Sequence, residues 1–414
     1  MAVGGGPADG PLSGSATGRM RIGVFSECYE PVQNGVTTSL RTLVDGLRHE
    51  GHHVFVVAPR YAGHIDPDPF VLRLPSLHTW FSKKYPIAAP WVFRLSGPAL
   101  HLAPSLVHSH NPFFVGLVAA RYARDAGVPL VATYHTLYSH YGHYLKFVPD
   151  AAVQGLLRWW MPAYYNRCAQ VIVPSRVAGD SLLSYGVRAP ITVLPTAVPL
   201  PDPAHLTAAA RAAARARLGV PADARLLLYV GRAAREKNIE LVLEAFAKAA
   251  ATSPNCHLAV VGAGPHLDAL RQAAADMVAT DRVHIVGAIP HDELPPVYAC
   301  ADLFVFSSVT ETQGLVMAEA RAAGTPCILV RGGGASETII HGEDGLVVDQ
   351  DACAFAEAVS RVLGDAEMHA TMRAHCRRRA LLHTPDAMTR RVIDVYVQAL
   401  SVRRSNASAH TPRT

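Results

Sequence analysis

The sequence has no paired cysteine motif, although it contains seven cysteines among its 414 residues. They are scattered, odd in number and never spaced as C-x-x-C, which argues against a disulfide framework and a thiolate zinc site. No apolar run is long enough to cross a bilayer. The N-terminal sequence MAVGGGPADGPLSGSATG lacks the apolar core of a secretory signal. We therefore expect a cytoplasmic protein that begins with a flexible tail.

Two glycine-rich nucleotide motifs are also missing. VGAGPHL at 261–267 has only two of the three glycines of the dinucleotide fingerprint G-x-G-x-x-G, and it lacks the acidic ribose partner of that motif. The Walker sequence G-K-[ST] does not occur. These absences disfavour a nicotinamide enzyme and exclude a P-loop NTPase.

Charge and aromatic residues are unevenly distributed. Residues 20–200 are net basic and residues 225–402 net acidic, which favours contact of the first half with an anionic surface, although an accidental asymmetry explains it nearly as well. Segment 75–95 mixes Trp and Phe with Lys and Arg, as a membrane-binding surface does, and a buried aromatic core is the alternative. For LLRWWMPAYYN at 156–166 we expect an inward-facing stripe. We expect no nucleic-acid partner.

Strand patterns alternate with helix patterns along the chain. RIGVFSE at 21–27 is followed by the loop EPVQNGV, a helix pattern at 37–51 and a strand pattern at 52–59, and the same order recurs from 225 to 264. This alternation predicts βαβ units and parallel sheets. Further strands are expected at 105–110, 129–135, 169–175, 191–196, 282–288, 301–308 and 326–330.

The pattern predicts an α/β protein with two doubly wound, Rossmann-like domains that face one another across a cleft, with ligands at the carboxyl ends of the strands. The predicted boundaries are a tail at 1–19, a first domain at 20–198 and a Pro- and Ala-rich linker with a short helix at 199–224. They continue with a second domain at 225–383, a C-terminal helix at 384–402 that packs back toward the first domain, and a tail at 403–414.

The segment TETQGLVMAEARAAGTP at 310–326 is the most informative motif. It follows a buried-strand pattern and places Glu311 and Glu319 eight positions apart, with Gly314 where the loop turns into a helix. The helix is expected to end near Gly324 and Pro326. Its free N–H groups form an anion site, and the two carboxylates suit the hydroxyls of a sugar and a ribose. Two ordinary surface glutamates are the alternative interpretation.

Four other residues are expected to point into the same cleft. Arg232 and Lys237 follow the strand at 225–231 and suit two phosphates, whereas a solvated turn with Lys237 paired to Glu236 or Glu240 is the simpler interpretation. Gly35 permits backbone N–H groups to approach a phosphate, unless it is only a turn glycine. His135 ends a strand and suits a sugar hydroxyl. His-Ser-His at 108–110 lacks an acidic third ligand, so we expect no metal site.

Together these motifs resemble the glycosyltransferase family 4 enzymes of GT-B fold, from about residue 20 to 400. The most specific elements are the E-x7-E segment and the following GTPCILVRGGGASETIIHGEDGLVV. The resemblance implies that the domain at 20–198 binds the acceptor and that the domain at 225–383 binds the nucleotide sugar. Glu319 then holds ribose hydroxyls, and Glu311 holds the donor sugar together with the backbone of Gly314 and Leu315. Arg232 and Lys237 bind the diphosphate by the same resemblance, and His135 lies beside the transferred sugar. It also implies retention of anomeric configuration, without a carboxylate nucleophile.

Within that family the chain looks like the diacylglycerol glucosyltransferases. The pattern TYHTLYSHYGHYLKFVP at 133–149, the single-glycine NGV loop and Gln313, where many relatives have Phe, point that way. We expect a peripheral enzyme on the inner face of a membrane that transfers glucose from UDP-glucose to a lipid such as diacylglycerol, with no permanent cofactor. A GDP-mannose-dependent mannosyltransferase is the second candidate. A non-catalytic sugar-nucleotide-binding scaffold and a sugar-nucleotide epimerase are candidates from other classes.

Overall fold

The computed structural model describes residues 18–32, 34–77, 86–89, 102–138 and 149–409. Most of the aromatic and basic segment 75–95, including Trp80, Lys83 and Lys84, lies outside the described residues, and so does all of 139–148. The membrane-surface prediction for the first of these segments therefore stays a prediction.

The N-terminal half is built on a seven-stranded parallel sheet in the order β3-β2-β1-β6-β7-β8-β9. Its strands are mostly short apolar runs with both faces covered, which is typical of parallel sheets. The strands are β1 Arg21–Phe25, β2 His53–Pro59, β3 Val71–Leu74, β6 Leu106–Ser109, β7 Leu130–Thr133, β8 Gln170–Val173 and β9 Ile191–Val193. A separate two-stranded antiparallel pair is formed by β4 Ser76–Leu77 and β5 Ile87–Ala88.

The C-terminal half is built on a six-stranded parallel sheet in the order β12-β11-β10-β13-β14-β15. The strands are β10 Arg225–Val230, β11 Cys256–Val261, β12 Val283–Gly287, β13 Leu303–Phe306, β14 Cys327–Val330 and β15 Gly345–Val348. In both sheets the order reverses beside the first strand of the half, and ligands of doubly wound folds bind at such a switch point. The two sheets confirm the predicted fold class.

Helices connect the strands and cover the sheets. Several begin at a side-chain cap, as Asn34, Ser175 and Asp351 each accept a hydrogen bond from a backbone N–H of the first turn. The helices are α1 Gly35–His49, α2 Phe114–Asp125, α3 Asp150–Tyr165, α4 Arg176–Ser184, α5 Ala208–Leu218, α6 Ile239–Thr252, α7 Leu267–Ala275, α8 Leu294–Cys300, α9 Leu315–Ala322, α10 Ala352–Gly364, α11 Ala366–Leu382 and α12 Pro385–Ala409.

Two helices near the predicted domain boundaries have clear partners. α12 packs on α1, with Val392, Val395 and Tyr396 in one apolar cluster with the first sheet. α5 buries Ala214 and Leu218 in the core of the second half. α5, which lies within the predicted linker at 199–224, therefore packs on the second half. Within the described residues, no helix has both the length and the apolar character that crossing a membrane requires.

The expectation of an inward-facing stripe at 156–166 is only partly correct. Leu157, Met161 and Tyr164 are buried against the first sheet, but Leu156 and Trp159 are 58% and 64% exposed. The reason is helical periodicity, since α3 has one face on the sheet and the two exposed residues lie three positions apart on another face.

Candidate functional site

The loop between β13 and α9, residues 309–314, is here called the donor loop. It ends at Gly314, which precedes α9 with φ +78, a conformation that suits glycine because a side chain there is strained. Glu311 therefore lies before the helix and Glu319 more than one turn inside it. The first N–H groups of α9 are left without intrahelical partners and form an anion-binding helix start.

A glycine-rich segment that includes Gly334 packs against the donor loop. The backbone N–H of Gly334 donates to the carbonyl of Glu311 at 2.7 Å. A Cβ at Gly334 would collide with the carbonyl oxygen of Thr312, so glycine is required for this approach. The sequence RGGGAS therefore serves to shape the donor loop.

The structure brings Lys237 and Glu311 into direct contact. Lys237 Nζ donates to Glu311 Oε1 at 2.6 Å, and both side chains are mostly buried. Glu311 is therefore a direct partner of Lys237, which the simpler interpretation, a pairing with Glu236 or Glu240, did not include. Arg232 lies farther out, since its side chain is 53% exposed and its guanidinium is 3.8 Å from the Glu236 carboxylate.

Glu319 is held by two residues that the sequence interpretation missed. Tyr298 from α8 donates to Glu319 Oε2 at 2.6 Å, and His291 Nε2 lies 3.0 Å from Oε1. The hydrogen bond to Glu319 raises the pKa of His291. A carboxylate has about four lone-pair positions, so Glu319 retains acceptor capacity for the two hydroxyls of a ribose.

Gly35 and Leu315 face each other across the cleft. Gly35 is the first residue of α1, and a Cβ on it would lie 3.8 Å from Leu315 Cδ1 at the start of α9. Gly35 is therefore part of a helix start and not of a simple turn. The positive ends of two helix dipoles therefore lie on facing sides of the cleft, where an anion is favoured.

His135 follows β7 and is part of a cluster of histidines. Its Nε2 lies 2.8 Å from His110 Nδ1, and the ring of His110 packs on that of His108. His108 in turn bonds Thr133 and Tyr396 of α12, each at 2.7 Å. Burial lowers the pKa of His135 to about 4, so its ring is neutral at neutral pH. His135 is thus a positioned, uncharged hydrogen-bonding group.

The donor loop also reaches the N-terminal half directly. Thr312 Oγ1 donates to the backbone carbonyl of His135 at 2.9 Å, and Gln313 bonds the backbone of Thr196. These contacts place His135 beside the loop that carries Glu311. The expected site residues from both halves are therefore brought to one cleft, with Arg232 at its outer edge.

Glu27 is a further polar residue that the sequence interpretation did not select. It follows β1 and accepts a hydrogen bond from Val115 N at the start of α2, while Asn111 Oδ1 accepts from Glu27 N. The sequence did contain one indication of this role, since Glu27 ends the strand pattern RIGVFSE. Burial raises the pKa of Glu27 to about 7.

The arrangement combines an anion site, a lysine, two carboxylates and a neutral histidine. These groups suit a diphosphate flanked by two sets of hydroxyls. Among the described residues, His, Cys, Asp and Glu side chains form no group of three or more that would hold a metal ion.

Two family models match the chain. "Glycosyltransferase Family 4" matches residues 33–201, and "Glycosyl transferases group 1" matches residues 210–379. The two matches meet near the boundary between the two sheets.

Curated relatives include lipid and mannose transferases. The chain is 32% identical to an alpha-monoglucosyldiacylglycerol synthase of Streptococcus pneumoniae, over 75% of this chain and 70% of the relative. It is 31% identical to the protein of the same name from Acholeplasma laidlawii, over 75% and 80%. It is 28% identical to a GDP-mannose-dependent alpha-mannosyltransferase of Corynebacterium glutamicum, over 80% and 77%.

A solved structure of HepE from Anabaena in complex with UDP shares the fold, with a TM-score of 0.71 and 19% identity over 91% of this chain and 99% of that one. At this identity the likeness establishes the two-domain GT-B architecture alone. The relatives and the two family models, taken with the E-x7-E helix and its glycine loop, show that the chain belongs to glycosyltransferase family 4.

Proposed function

We propose that the protein transfers glucose from UDP-glucose to a diacylglycerol-type lipid at a membrane surface, with retention of anomeric configuration. The observation that supports this most is the position of the starts of α1 and α9 on facing sides of the cleft, together with the ion pair of Lys237 and Glu311. The names of the relatives with 32% and 31% identity support glucose and diacylglycerol as the substrates.

In this proposal the diphosphate lies between the two helix starts. The N–H groups at Gly35 and Leu315 donate to its oxygens, and Lys237 supplies a cation that Glu311 holds in place. Glu319, oriented by Tyr298, accepts the ribose hydroxyls. Arg232 adds positive charge at the outer edge of the cleft.

The chemistry that these groups support is glycosyl transfer to a hydroxyl. The bond between the anomeric carbon and the diphosphate oxygen breaks, and the leaving oxygen gains negative charge that the helix starts and Lys237 stabilise. The acceptor oxygen forms the new bond from the same face, and its proton passes to the leaving phosphate. His135 is neutral and hydrogen-bonds the sugar. Because the acceptor oxygen attacks the anomeric carbon directly, no side chain serves as a nucleophile.

The acceptor side is formed by the N-terminal half. Glu27 and Asn111 lie at the carboxyl ends of β1 and β6, next to the histidine cluster. α3 packs beside this edge, because Trp160 stacks on Phe113 and donates to the carbonyl of Pro112 at 3.1 Å. We place the lipid hydroxyl on this side of the cleft.

An exposed apolar patch on α3 suits peripheral binding to a lipid surface. Leu156 and Trp159 are both more than half exposed, and the neighbouring Arg158 is exposed as well. Tryptophan beside a basic residue is typical of the membrane interface. This patch gives the protein a way to approach a lipid acceptor.

A GDP-mannose-dependent mannosyltransferase is the second candidate, favoured by the relative that is 28% identical. Both candidates use the same diphosphate site. They differ in the base and in the configuration of one hydroxyl of the sugar, so a panel of UDP- and GDP-sugars distinguishes them.

We expect the protein to release nucleotide from UDP-glucose only when vesicles containing diacylglycerol are present. The measurement is nucleotide release from a panel of UDP- and GDP-sugars, with and without such vesicles. Release from GDP-mannose alone would replace the first candidate by the second. Nucleotide binding without vesicle-stimulated release would remove the lipid acceptor from the proposal.

The two glutamates of the E-x7-E segment are expected to differ in effect. Glu319→Ala should weaken UDP binding about 10- to 100-fold, because the loss of one hydrogen bond to a charged group costs about 1.5–3 kcal/mol. Glu311→Ala should mainly lower kcat, because it releases Lys237 from its position. Calorimetric titration and initial rates measure the two effects, and the exposed Glu357→Ala is the control. Unchanged affinity and turnover in both variants would refute the assignment.

The α3 patch is expected to contribute to vesicle binding. The double substitution Leu156→Ser and Trp159→Ser should reduce co-sedimentation with anionic vesicles several-fold and leave UDP affinity unchanged, because the patch lies outside the donor site. The exposed pair Leu381 and Leu382 on α11, changed to Ser, is the matched control. Equal vesicle binding by all three proteins would contradict a membrane role for α3.

Glu27 is expected to make stability depend on pH. Since burial raises its folded-state pKa from 4.5 to about 7, the folded state favours the protonated form, and wild-type stability falls as pH rises from about 4.5 to 7. The groups around it are Tyr138, Tyr164 and backbone N–H groups, none of which is charged in this range. Glu27→Gln removes the ionisation, so its stability relative to wild type should increase over this window by at most about 3 kcal/mol.

Urea unfolding of wild type, Glu27→Gln and the exposed Glu357→Gln at several pH values between 5 and 8 measures this difference. Parallel curves for wild type and Glu27→Gln would show that Glu27 ionises at its ordinary pKa.

A further inference from the structure

Gln313 is a buried polar residue of the donor loop that the proposed chemistry does not use. It is only 6% exposed. A buried side-chain amide is costly unless its donor and acceptor atoms are both hydrogen-bonded. The partners of this amide therefore show what the residue does.

Both partners belong to one residue on the other side of the cleft. The backbone N–H of Thr196 donates to Gln313 Oε1 at 2.8 Å, and Gln313 Nε2 donates to the carbonyl of Thr196 at 2.8 Å. A backbone N–H only donates and a carbonyl only accepts, so the orientation of the amide is fixed. Thr196 follows β9 in the N-terminal half, and its hydroxyl lies 3.1 Å from that of Ser39 on α1.

Three consecutive residues of the donor loop thus have distinct partners. Glu311 pairs with Lys237 in its own half, while Thr312 and Gln313 bond the backbones of His135 and Thr196 in the other half. The loop that carries the donor-sugar carboxylate is the same loop that connects the halves.

A neighbouring contact also joins the two halves of the protein. Glu337, which follows the glycine segment behind the donor loop, accepts hydrogen bonds from the backbone N–H groups of Arg176 and Val177, each at 2.9 Å. It therefore caps the start of α4 in the N-terminal half, where a carboxylate is stabilised by the helix dipole.

We propose that Gln313 is a positioning residue that couples nucleotide-sugar binding to closure of the cleft. The inference rests on the proposed function, because it takes the donor loop as the place where the nucleotide sugar binds. When the halves separate, the hydrogen bonds between the Gln313 amide and the Thr196 backbone are replaced by hydrogen bonds to water. The donor loop then loses the contact that fixes its position before α9. A ligand that orders the donor loop then favours closure, and closure favours the ligand by the same factor.

A purely structural role makes a different prediction. If the Gln313–Thr196 pair only stabilised the folded chain, its loss would lower the melting temperature and leave the shape of the folded protein, UDP affinity and kcat unchanged. Shape and kinetics therefore separate the two roles.

The test compares Gln313→Leu, which removes both hydrogen bonds at similar volume, with Thr312→Val, which removes only the bond to His135. The exposed Gln272→Leu on α7 is the matched control. Small-angle scattering without ligand and with saturating UDP-glucose measures closure, while titration and initial rates give UDP affinity, KM and kcat.

For Gln313→Leu we expect a larger radius of gyration without ligand, a return toward the wild-type value with UDP-glucose, and a kcat/KM about 10- to 100-fold lower, as two buried hydrogen bonds imply. Thr312→Val should show smaller changes in radius of gyration and kcat/KM in the same direction. If Gln313→Leu does not fold, Thr312→Val alone tests the proposal. Gln272→Leu should match wild type.

Two outcomes would overturn the inference, and they are distinguishable. Wild-type scattering, affinity and kinetics in both donor-loop variants would remove the coupling and leave the proposed function intact. A wild-type protein that binds no nucleotide sugar would remove the proposed function, and the coupling with it.

Discussion

Two helix starts face each other across one cleft, and the proposed binding of a diphosphate depends on this arrangement. α1 begins at Gly35 and α9 begins at Leu315, and a Cβ on Gly35 would be in van der Waals contact with the Leu315 side chain. The positive ends of two helix dipoles repel each other unless negative charge lies between them. Lys237 adds a third positive group, and Glu311 pairs with it at close range. A ligand with two phosphates matches this arrangement of charge.

The rest of the cleft holds these helix starts in place. The glycine segment at 332–334 packs against the donor loop, and the donor loop contacts the backbones of His135 and Thr196 in the other half. α12 joins the end of the chain to the first sheet, where Tyr396 contacts His108 behind the His135 pair. Residues far apart in sequence therefore set the geometry of one loop and one histidine.

The sequence predicted the parts of this structure that depend on local pattern. The apolar runs predicted most of the strands, and Glu311, Gly314 and Glu319 predicted the loop and helix of the donor side. The edge strands β3 and β15 were not predicted. Residues that act through distant partners were also missed: Tyr298 is 21 positions from Glu319 and Thr196 is 117 from Gln313.

Two positions show why pattern alone was insufficient. Gln313 was noticed only as a departure from related sequences, and its role depends on a backbone segment of the other half. Glu27 was interpreted as the end of a strand, and its raised pKa follows from burial that only the assembled fold produces. On α3, periodicity placed Leu157 and Met161 inward, but it did not show that Leu156 and Trp159 would be left exposed.

The most direct test of the account is an experimental structure of the protein with UDP bound. The account predicts that the ribose hydroxyls lie on the Glu319 carboxylate and that the diphosphate lies between the starts of α1 and α9, within reach of Lys237. UDP bound outside this cleft, or bound with its diphosphate away from both helix starts, would contradict it.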